Sequence, residues 1–355
     1  PSKTWNWLKM NETAVSGISV SGAHEIKAEI PAGISKTNCP AGLPDQFREI
    51  AGGMGPDMDV LVRESAAGAV LLSTDGDLAE TPVRIGFTYG ASEHSLNTFG
   101  IFAKEGSKMT VIMDVAAEAD GASGADHTAL SGVQTKLILE KDAEVTLVQI
   151  IRNDNAKTVL NDIGAKVADG AKFSVIHLFL SGGHVYNGCK ADLVGKKSTF
   201  TADIAYTVGN DAVLDMNYVA LHEGKKSVSE IKTDGVLHEN SKKLFRGTID
   251  FKKGAAGAVG NEKEDVLLLD DDVVNQTIPL IRCAEEDVEG NHGATLGKLD
   301  DDMVSYLESR GMELPKIYKM MAKARIDAVL RLVPDEKTKA DVASYLESEA
   351  TNGRI

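Results

Sequence analysis

A chain of 355 residues with 43% hydrophobic and 26% charged residues can bury a sizeable core, which excludes a wholly disordered protein. The formal net charge of −15, with no Lys/Arg run, argues against binding to nucleic acid or an anionic membrane surface. Residues 1–10 lack the apolar stretch of a signal peptide and no run of eighteen apolar residues occurs, so we expect no membrane span and a cytoplasmic location.

Residues 1–59 are predicted to form an N-terminal segment of irregular or short helical structure. Residues 33–59 are rich in Gly, Pro and Asn, and Gly52-Gly53-Met54-Gly55-Pro56 is a strong break in any regular element.

Residues 60–298 show short runs of alternating apolar and polar residues separated by turns, as in 136–140, 144–150 and 172–179, which indicates strands. A recurring unit places a turn and a small residue before each strand. The small residues are spaced by 36, 28, 27 and 29 positions, at Ser107, Ala143, Ala171, Ser198 and Ser227. No amphipathic helical stripe separates the strands, so the pattern favours a mainly β fold, a right-handed parallel β-helix; a β-sandwich is the alternative.

Residues 299–355 are predicted to be a C-terminal helical domain. An acidic first turn begins the first helix at Asp300 and Gly311 ends it. A second helix is expected from Pro315 to Leu332 and a third from Pro334 to Glu349.

The common catalytic motifs for phosphate binding, acyl transfer, zinc proteolysis and dinucleotide binding are missing from the sequence, so we do not expect an enzyme. The cysteines, Cys39, Cys189 and Cys283, are far apart and form no CxxC pair, so a bound metal would need ligands from a partner. His177 and His184 lie near Cys189, but their spacing matches no metal-site pattern and favours a structural role.

Two residues near the end of the strand region are of interest. Cys283 alternates in phase with Ile281 and is predicted to be a buried, inward-facing thiol. His292 lies where the strands give way to the helices, a place suited to contact with another subunit.

The C-terminal half resembles the SufB/SufD family of scaffolds in SUF iron–sulfur cluster assembly, nearly continuously from about Asp234 to Leu330. The residues that carry the resemblance are Phe245-Arg-Gly247-Thr-Ile249, Gly254-Ala255-Ala256, Leu267-Leu-Leu269, Pro279, Glu286-Asp-Val288, His292-Gly-Ala-Thr295, Gly297, Leu299-Asp300 and Tyr306-Leu-x-Ser-Arg-Gly311.

The resemblance implies a parallel β-helix that pairs through its end with a SufB-type subunit and binds one SufC ATPase of the ABC type. Residues 299–331 would form the SufC-docking surface, with Tyr306, Arg310, Met320 and Ile326 as partner-binding residues. A transient iron–sulfur cluster would be assembled at the subunit junction, and a cysteine desulfurase or other sulfur donor would act indirectly. Flavin binding is a trait of the family, but no residue of this sequence predicts it.

The motif around His292 looks like that of SufD, because Gly293 replaces the Glu that follows the His in SufB, and Glu264 stands near the position of the SufB cysteine. The resemblance makes His292 a candidate cluster ligand, and neutral imidazole is a competent iron ligand. Many SufD proteins have a Cys two positions before this His, whereas this chain has Gly290, so Cys283 is only a weak substitute.

Two alternatives to a SufD-like scaffold stay open. One is a self-sufficient homodimeric scaffold that works with SufC alone. A more remote one is a carbohydrate-active β-helix enzyme, which would need paired acids beside an aromatic-lined groove.

Overall fold

The computed structural model describes most of the chain. The described residues are 20, 22–23, 25–65, 67–74, 81–89, 94–117, 130–153, 158–181 and 183–351. Residues 1–19, which make up the first part of the predicted N-terminal segment, lie outside them. Among the described residues, no helix combines the length and apolar character needed to cross a bilayer.

In the described part of the chain, eighteen strands form the body of the protein, and most are ten residues long. They are β1 (Lys27–Glu29), β2 (Ile34–Cys39), β3 (Ala69–Thr74), β4 (Val83–Tyr89), β5 (Ser95–Ala103), β6 (Lys108–Ala117), β7 (Leu130–Leu139), β8 (Glu144–Asn153), β9 (Thr158–Val167), β10 (Lys172–Ser181), β11 (His184–Leu193), β12 (Thr199–Val208), β13 (Val213–His222), β14 (Val228–Leu237), β15 (Lys242–Phe251), β16 (Ala258–Leu268), β17 (Val274–Cys283) and β18 (Val288–Gly297).

The strands form two nine-stranded sheets, and the chain alternates between them. One sheet has the order β1-β4-β6-β8-β10-β12-β14-β16-β18 and the other β17-β15-β13-β11-β9-β7-β5-β3-β2. Only the pairs β1·β4 and β2·β3, at the start, are antiparallel; the later pairs are parallel. The result is a parallel β-solenoid of about 7 turns with two strands per turn. The predicted β-helix is therefore confirmed over the β-sandwich.

The repeating small residues mark equivalent turns of the solenoid. Each precedes a strand of the same sheet and is almost completely buried, from Ser107 to Ser227. The residue before each small residue has a positive φ, which allows the chain to turn there. These turn residues are Gly106, Asp142, Gly170, Lys197 and Lys226. The longer first step of 36 residues spans positions 118–129, which lie outside the described residues.

The interior of the solenoid is filled by side chains from alternate positions of both sheets. Its main cluster is rich in Val, Ile, Leu and Ala, with aromatic rings stacked between coils, such as Phe173 on Phe200 at 5.5 Å between centroids. The rings stack because the strands pair in parallel and in register, so that equivalent residues of successive coils lie about 4.8 Å apart.

Part of the N-terminal region crosses the outer face of one sheet. It contains α1 (Asp45–Arg48) and α2 (Pro56–Glu64). Gly52 and Gly53 lie so close to the sheet that a Cβ on Gly53 would be 2.1 Å from the Cys189 nitrogen. The buried Asp162 carboxylate accepts a hydrogen bond from the Met54 amide at 2.8 Å, which anchors this crossing. The Gly-rich break in the sequence is thus required by close backbone contact.

Three C-terminal helices follow the last strand: α3 (Asp301–Ser309), α4 (Leu314–Leu330) and α5 (Glu336–Thr351). All three were predicted within two residues at each end. The side chain of Asp300 caps α3 by accepting hydrogen bonds from the Asp302 and Met303 amides. Helix α4 packs on strands β10, β12 and β14, and Arg325 pairs with Asp265 at 2.7 Å and with Asp234. Apolar contacts and ion pairs together attach the helices to the outer face of the solenoid.

Candidate functional site

The last coil of the solenoid, strands β17 and β18, has uncovered edges, and we call it the open end. Each strand is the last member of its sheet within the described part of the chain. In β18, residues 289–296 are all exposed, and no residue of β17 is buried. In the preceding coils the equivalent inward positions are buried. The open end therefore exposes side chains and backbone groups that a further layer would cover.

His292 lies on the inward-facing side of the open end. It is in register with Glu262 of β16 and, one coil earlier, with Ile231 of β14. Ile231 and Glu262 are buried, whereas His292 is exposed because β18 is the last strand of its sheet in the described part of the chain. The imidazole thus belongs to an interior column of the solenoid and is still accessible from outside.

Cys283 is exposed, so the prediction of a buried thiol is wrong. Its register explains the error: Cys283 pairs with Phe251, which pairs with His222, and both of these are fully buried. The alternation correctly assigns Cys283 to the inward face, but Cys283 ends a strand of the last coil and nothing covers it. Cys283 and His292 belong to opposite sheets.

Side chains of neighbouring residues pack closely against the backbone of Gly290. A Cβ added there would lie 3.0 Å from Cγ2 of Ile281 and 3.2 Å from Cε2 of Phe251. This chain therefore lacks the thiol, and a side chain at that position would require small shifts of Ile281 and Phe251. Within the described residues, no three His, Cys, Asp or Glu side chains form a group suited to a metal ion.

A buried ionic group lies directly beneath the open end. Lys243 of β15 pairs with Glu264 of β16, and both side chains are almost completely buried. Thr277 of β17 joins them: its hydroxyl donates to Glu264 at 2.6 Å and accepts from Lys243 Nζ at 3.2 Å. Burial lowers the pKa of Lys243, while the nearby Glu264 carboxylate opposes this change.

Glu262 is the second acidic residue of this group and has fewer hydrogen-bond partners than Glu264. Its Oε2 atom is buried and has no hydrogen-bond partner among the described residues. Burial, together with the charge of Glu264, raises the pKa of Glu262 to about 7, and the Lys243 charge only partly offsets this. The carboxylate extends across the interior towards β15, because a Cβ on Gly247 would lie 2.0 Å from Oε2.

This ionic group was not predicted from the sequence, although the sequence contained a signal for it. Lys243 alternates in phase with Phe245 and Ile249, and Glu262 and Glu264 alternate in phase with Val266. Charged residues at inward positions of a strand are uncommon in proteins and call for partners.

His177 lies in the middle of the solenoid and has a structural role, as the sequence analysis favoured. Its Nε2 atom is 2.7 Å from Oε1 of Gln149, and its Nδ1 atom bonds to the Tyr218 hydroxyl. Complete burial lowers the pKa of His177 to about 3, so the ring is neutral. Cys189, in register with Tyr218, is also fully buried, and burial raises the pKa of its thiol.

The C-terminal helices place the predicted partner-binding residues in two environments. Tyr306 is 55% exposed and Met320 43% exposed, and the Arg310 guanidinium lies 5.2 Å from the centre of the Tyr306 ring. Ile326 is different: it is 1% exposed and packs against the solenoid in a cluster with Ile176 and Leu178. Ile326 therefore attaches α4 to the solenoid and is not available on the surface. We call Tyr306, Arg310 and Met320 the helical face.

The fold and these sites define a class of protein: a parallel β-solenoid with an accessible end that exposes interior positions, flanked by helices with an exposed aromatic side chain. A model for the SufBD core domain, described as "SUF system FeS cluster assembly", matches residues 87–325. The chain belongs to the SufBD family of the SUF system for iron–sulfur cluster assembly.

Known relatives agree with this assignment. The iron–sulfur cluster assembly protein SufD of Bacillus subtilis is 22% identical over 283 residues, which cover 79% of this chain and 63% of the relative. A SufBD family protein of Mycobacterium bovis is 28% identical over 128 residues, 36% of this chain and 15% of the relative. A third, from Staphylococcus saprophyticus, is 26% identical over 151 residues, 42% of this chain and 32% of the relative. The matches therefore span less than two thirds of each of these relatives.

Proposed function

We propose that this chain is a non-enzymatic scaffold subunit in which the open end pairs with a SufB-type subunit and the helical face binds a SufC-type ATPase. An iron–sulfur cluster would be assembled as cargo at the junction, with His292 as the ligand contributed by this chain. The observation that carries the proposal is the position of His292, on an interior column of the solenoid yet exposed at its end.

Pairing through the open end is supported by its surface chemistry. Unpaired strand edges are ready to hydrogen-bond with another chain, and β17 and β18 supply two adjacent edges. Large apolar side chains are exposed there, with Leu296 at 50% and Val274 at 38%. A second chain placed on these edges would bury His292 and supply the further ligands that an iron–sulfur cluster requires.

The proposed binding of an ATPase to the helical face rests on its exposed Tyr306 and Arg310 and on the family resemblance. Tyrosine and arginine are the residue types that contribute most binding energy at protein interfaces. The cation–π contact holds both side chains outward on α3, and Met303, 47% exposed, extends the same apolar surface.

Pairing is tested by co-expressing the full chain with its SufB-type and SufC-type partners and measuring the assembled masses by native mass spectrometry. Leu296→Asp should abolish pairing, because it replaces a large exposed apolar side chain of the last strand with a charge. Val60→Asp is the matched control: Val60 is a 36% exposed valine in α2, away from the open end, and its variant should pair normally. Equal pairing by both variants would contradict the assigned interface.

SufC binding is tested separately with the double variant Tyr306→Ala/Arg310→Ala. We expect at least a tenfold loss of affinity in a titration with the ATPase, while Leu332→Ala, at a 50% exposed leucine after α4, should bind as the wild type does. If the double variant binds normally, the helical face is not the docking surface.

If the chain is instead a self-sufficient homodimeric scaffold, native mass spectrometry should detect different complexes. A dimer of this chain that binds SufC and retains iron without a SufB-type subunit would establish that alternative. A complex that holds iron only when the SufB-type subunit is present would support the SufD-like role.

A further inference from the structure

We propose that Glu262 and His292 together form a half-site for ferrous iron at the open end, to which this chain contributes one carboxylate and one imidazole. The inference rests on the proposed scaffold function, because iron is cargo there. It goes further by assigning a role to Glu262, a residue buried one coil below the surface.

The first argument is the alignment of the two side chains. Glu262 and His292 are direct register partners in adjacent parallel strands, so their Cα atoms are separated by one strand spacing, about 4.8 Å. Both occupy inward positions of the same column. A cation between the two coils is therefore within reach of both side chains.

The second argument is the missing hydrogen-bond partner of Glu262. The residue is only 5% exposed, and its Oε2 atom has no partner among the described groups. Glu264, two residues further on, differs, because it is fully engaged by Lys243 and Thr277. A buried carboxylate oxygen without a donor costs free energy, which a bound cation would offset.

The third argument is the balance of charge. In strands β15–β18, the inward positions carry two carboxylates, Glu262 and Glu264, and one ammonium group, Lys243. Lys243 is committed to Glu264, so an ionised Glu262 carboxylate has no counter-charge beneath the open end. A divalent cation held by Glu262 and the His292 imidazole would supply that counter-charge.

The fourth argument is that the backbone leaves room for the carboxylate. Gly247 lies opposite Glu262, and a Cβ there would be 2.0 Å from Oε2 and 2.3 Å from the carboxyl carbon. Because position 247 has no side chain, the Glu262 carboxylate has room in the interior, one coil below His292. Oxygen and imidazole nitrogen are suitable ligands for ferrous iron, and a second subunit would complete the coordination shell.

The test is anaerobic equilibrium dialysis of the full-length chain against ⁵⁵Fe²⁺, alone and in the purified complex. We expect Glu262→Gln and His292→Ala each to weaken iron binding at least tenfold, and Gly247→Ala to do so by displacing the carboxylate. Glu289→Gln is the matched control: Glu289 is an exposed carboxylate on the outward side of β18, and its variant should bind iron as the wild type does.

Two results would overturn the inference: wild-type iron binding by Glu262→Gln, or no retention of iron by the wild-type chain alone and in the complex. These outcomes are separable from failure of the scaffold proposal, which is read from the assembled masses. Circular dichroism of each variant provides the folding check, and the conservative Glu262→Asp variant should recover part of the affinity only if a carboxylate is required.

Discussion

Acid should destabilise this protein through His177, whose imidazole is neutral and fully buried in the solenoid. Its ring nitrogens contact the Tyr218 hydroxyl and the Gln149 side chain. Burial lowers the pKa of His177, and no acidic group opposes this change. Protonation would place a charge in the interior without a counter-ion. The perturbation is therefore a fall in pH, compared between the wild type and His177→Gln.

The magnitude follows from the pKa of His177, which burial lowers from 6.5 to about 3. Since this pKa is lowered, the unfolded state binds the proton more tightly. The contribution to stability is complete above pH 6.5 and is lost as the pH falls towards 3. Each pH unit in that window costs about 1.4 kcal/mol, so the loss is roughly 2 kcal/mol at pH 5 and between 4 and 5 kcal/mol at the limit.

The assay is urea denaturation followed by circular dichroism at pH 7.5, 6.5, 5.5 and 5.0. His177→Gln should be less stable than the wild type at pH 7.5, because the hydrogen-bond geometry changes, but its stability should fall less steeply between pH 6.5 and 5.0. His292→Gln, at an exposed histidine, is the matched control variant. Parallel curves for the wild type and His177→Gln would refute the reasoning.

Three further predictions concern the ends and the centre of the solenoid. The pKa of Glu262 is raised to about 7, so the wild type loses stability as the carboxyl group ionises between pH 4.5 and 7. The unfolding free energy of Glu262→Gln, measured by urea denaturation, should therefore rise relative to that of the wild type between pH 5 and pH 8, by up to about 3 kcal/mol. Phe173→Ala removes a fully buried ring stacked between coils and should cost about 3 to 5 kcal/mol, measured by urea denaturation at pH 7.5. Arg325→Ala leaves Asp234 and Asp265 without their shared counter-charge; it should cost about 1 to 3 kcal/mol and expose α4 to limited proteolysis.

Each of these predictions has a matched control. Glu289→Gln, at an exposed carboxylate of β18, is the control for Glu262→Gln. Val228→Ala, at a 39% exposed position of β14, should cost far less than Phe173→Ala. Lys323→Ala, which removes a pair with the exposed Glu347, should leave the proteolysis of α4 unchanged. Equal effects from a variant and its control would contradict the corresponding argument.

The repeat made the fold predictable from the sequence. Ser107, Ala143, Ala171, Ser198 and Ser227 recur because each coil needs a tight turn followed by a side chain small enough to fit inside it. The helices were predictable for an equally local reason, since their caps and first turns are encoded by adjacent residues such as Asp300.

The environment of the site was less predictable, because it depends on which coil is last. Alternation correctly assigned Cys283 to the inward face, but alternation cannot distinguish an interior coil from a terminal one. Ile326 shows the converse: its helix was predicted, but which face of α4 packs on the solenoid depends on partners such as Ile176 and Leu178, more than a hundred residues away.

The ionic group beneath the open end links the fold to the proposed function. Ionic pairs inside a solenoid are costly, and replacing them by apolar residues is often neutral or stabilising. Lys243, Glu262 and Glu264 nevertheless occur only one coil from the end, where Thr277 of the last coil bonds to two of them. A second chain that covers β17 and β18 would therefore change the surroundings of Thr277 and, through it, those of Lys243 and Glu264. We expect pairing and iron binding to be coupled, since the last coil forms the proposed interface and also carries His292, the proposed imidazole ligand.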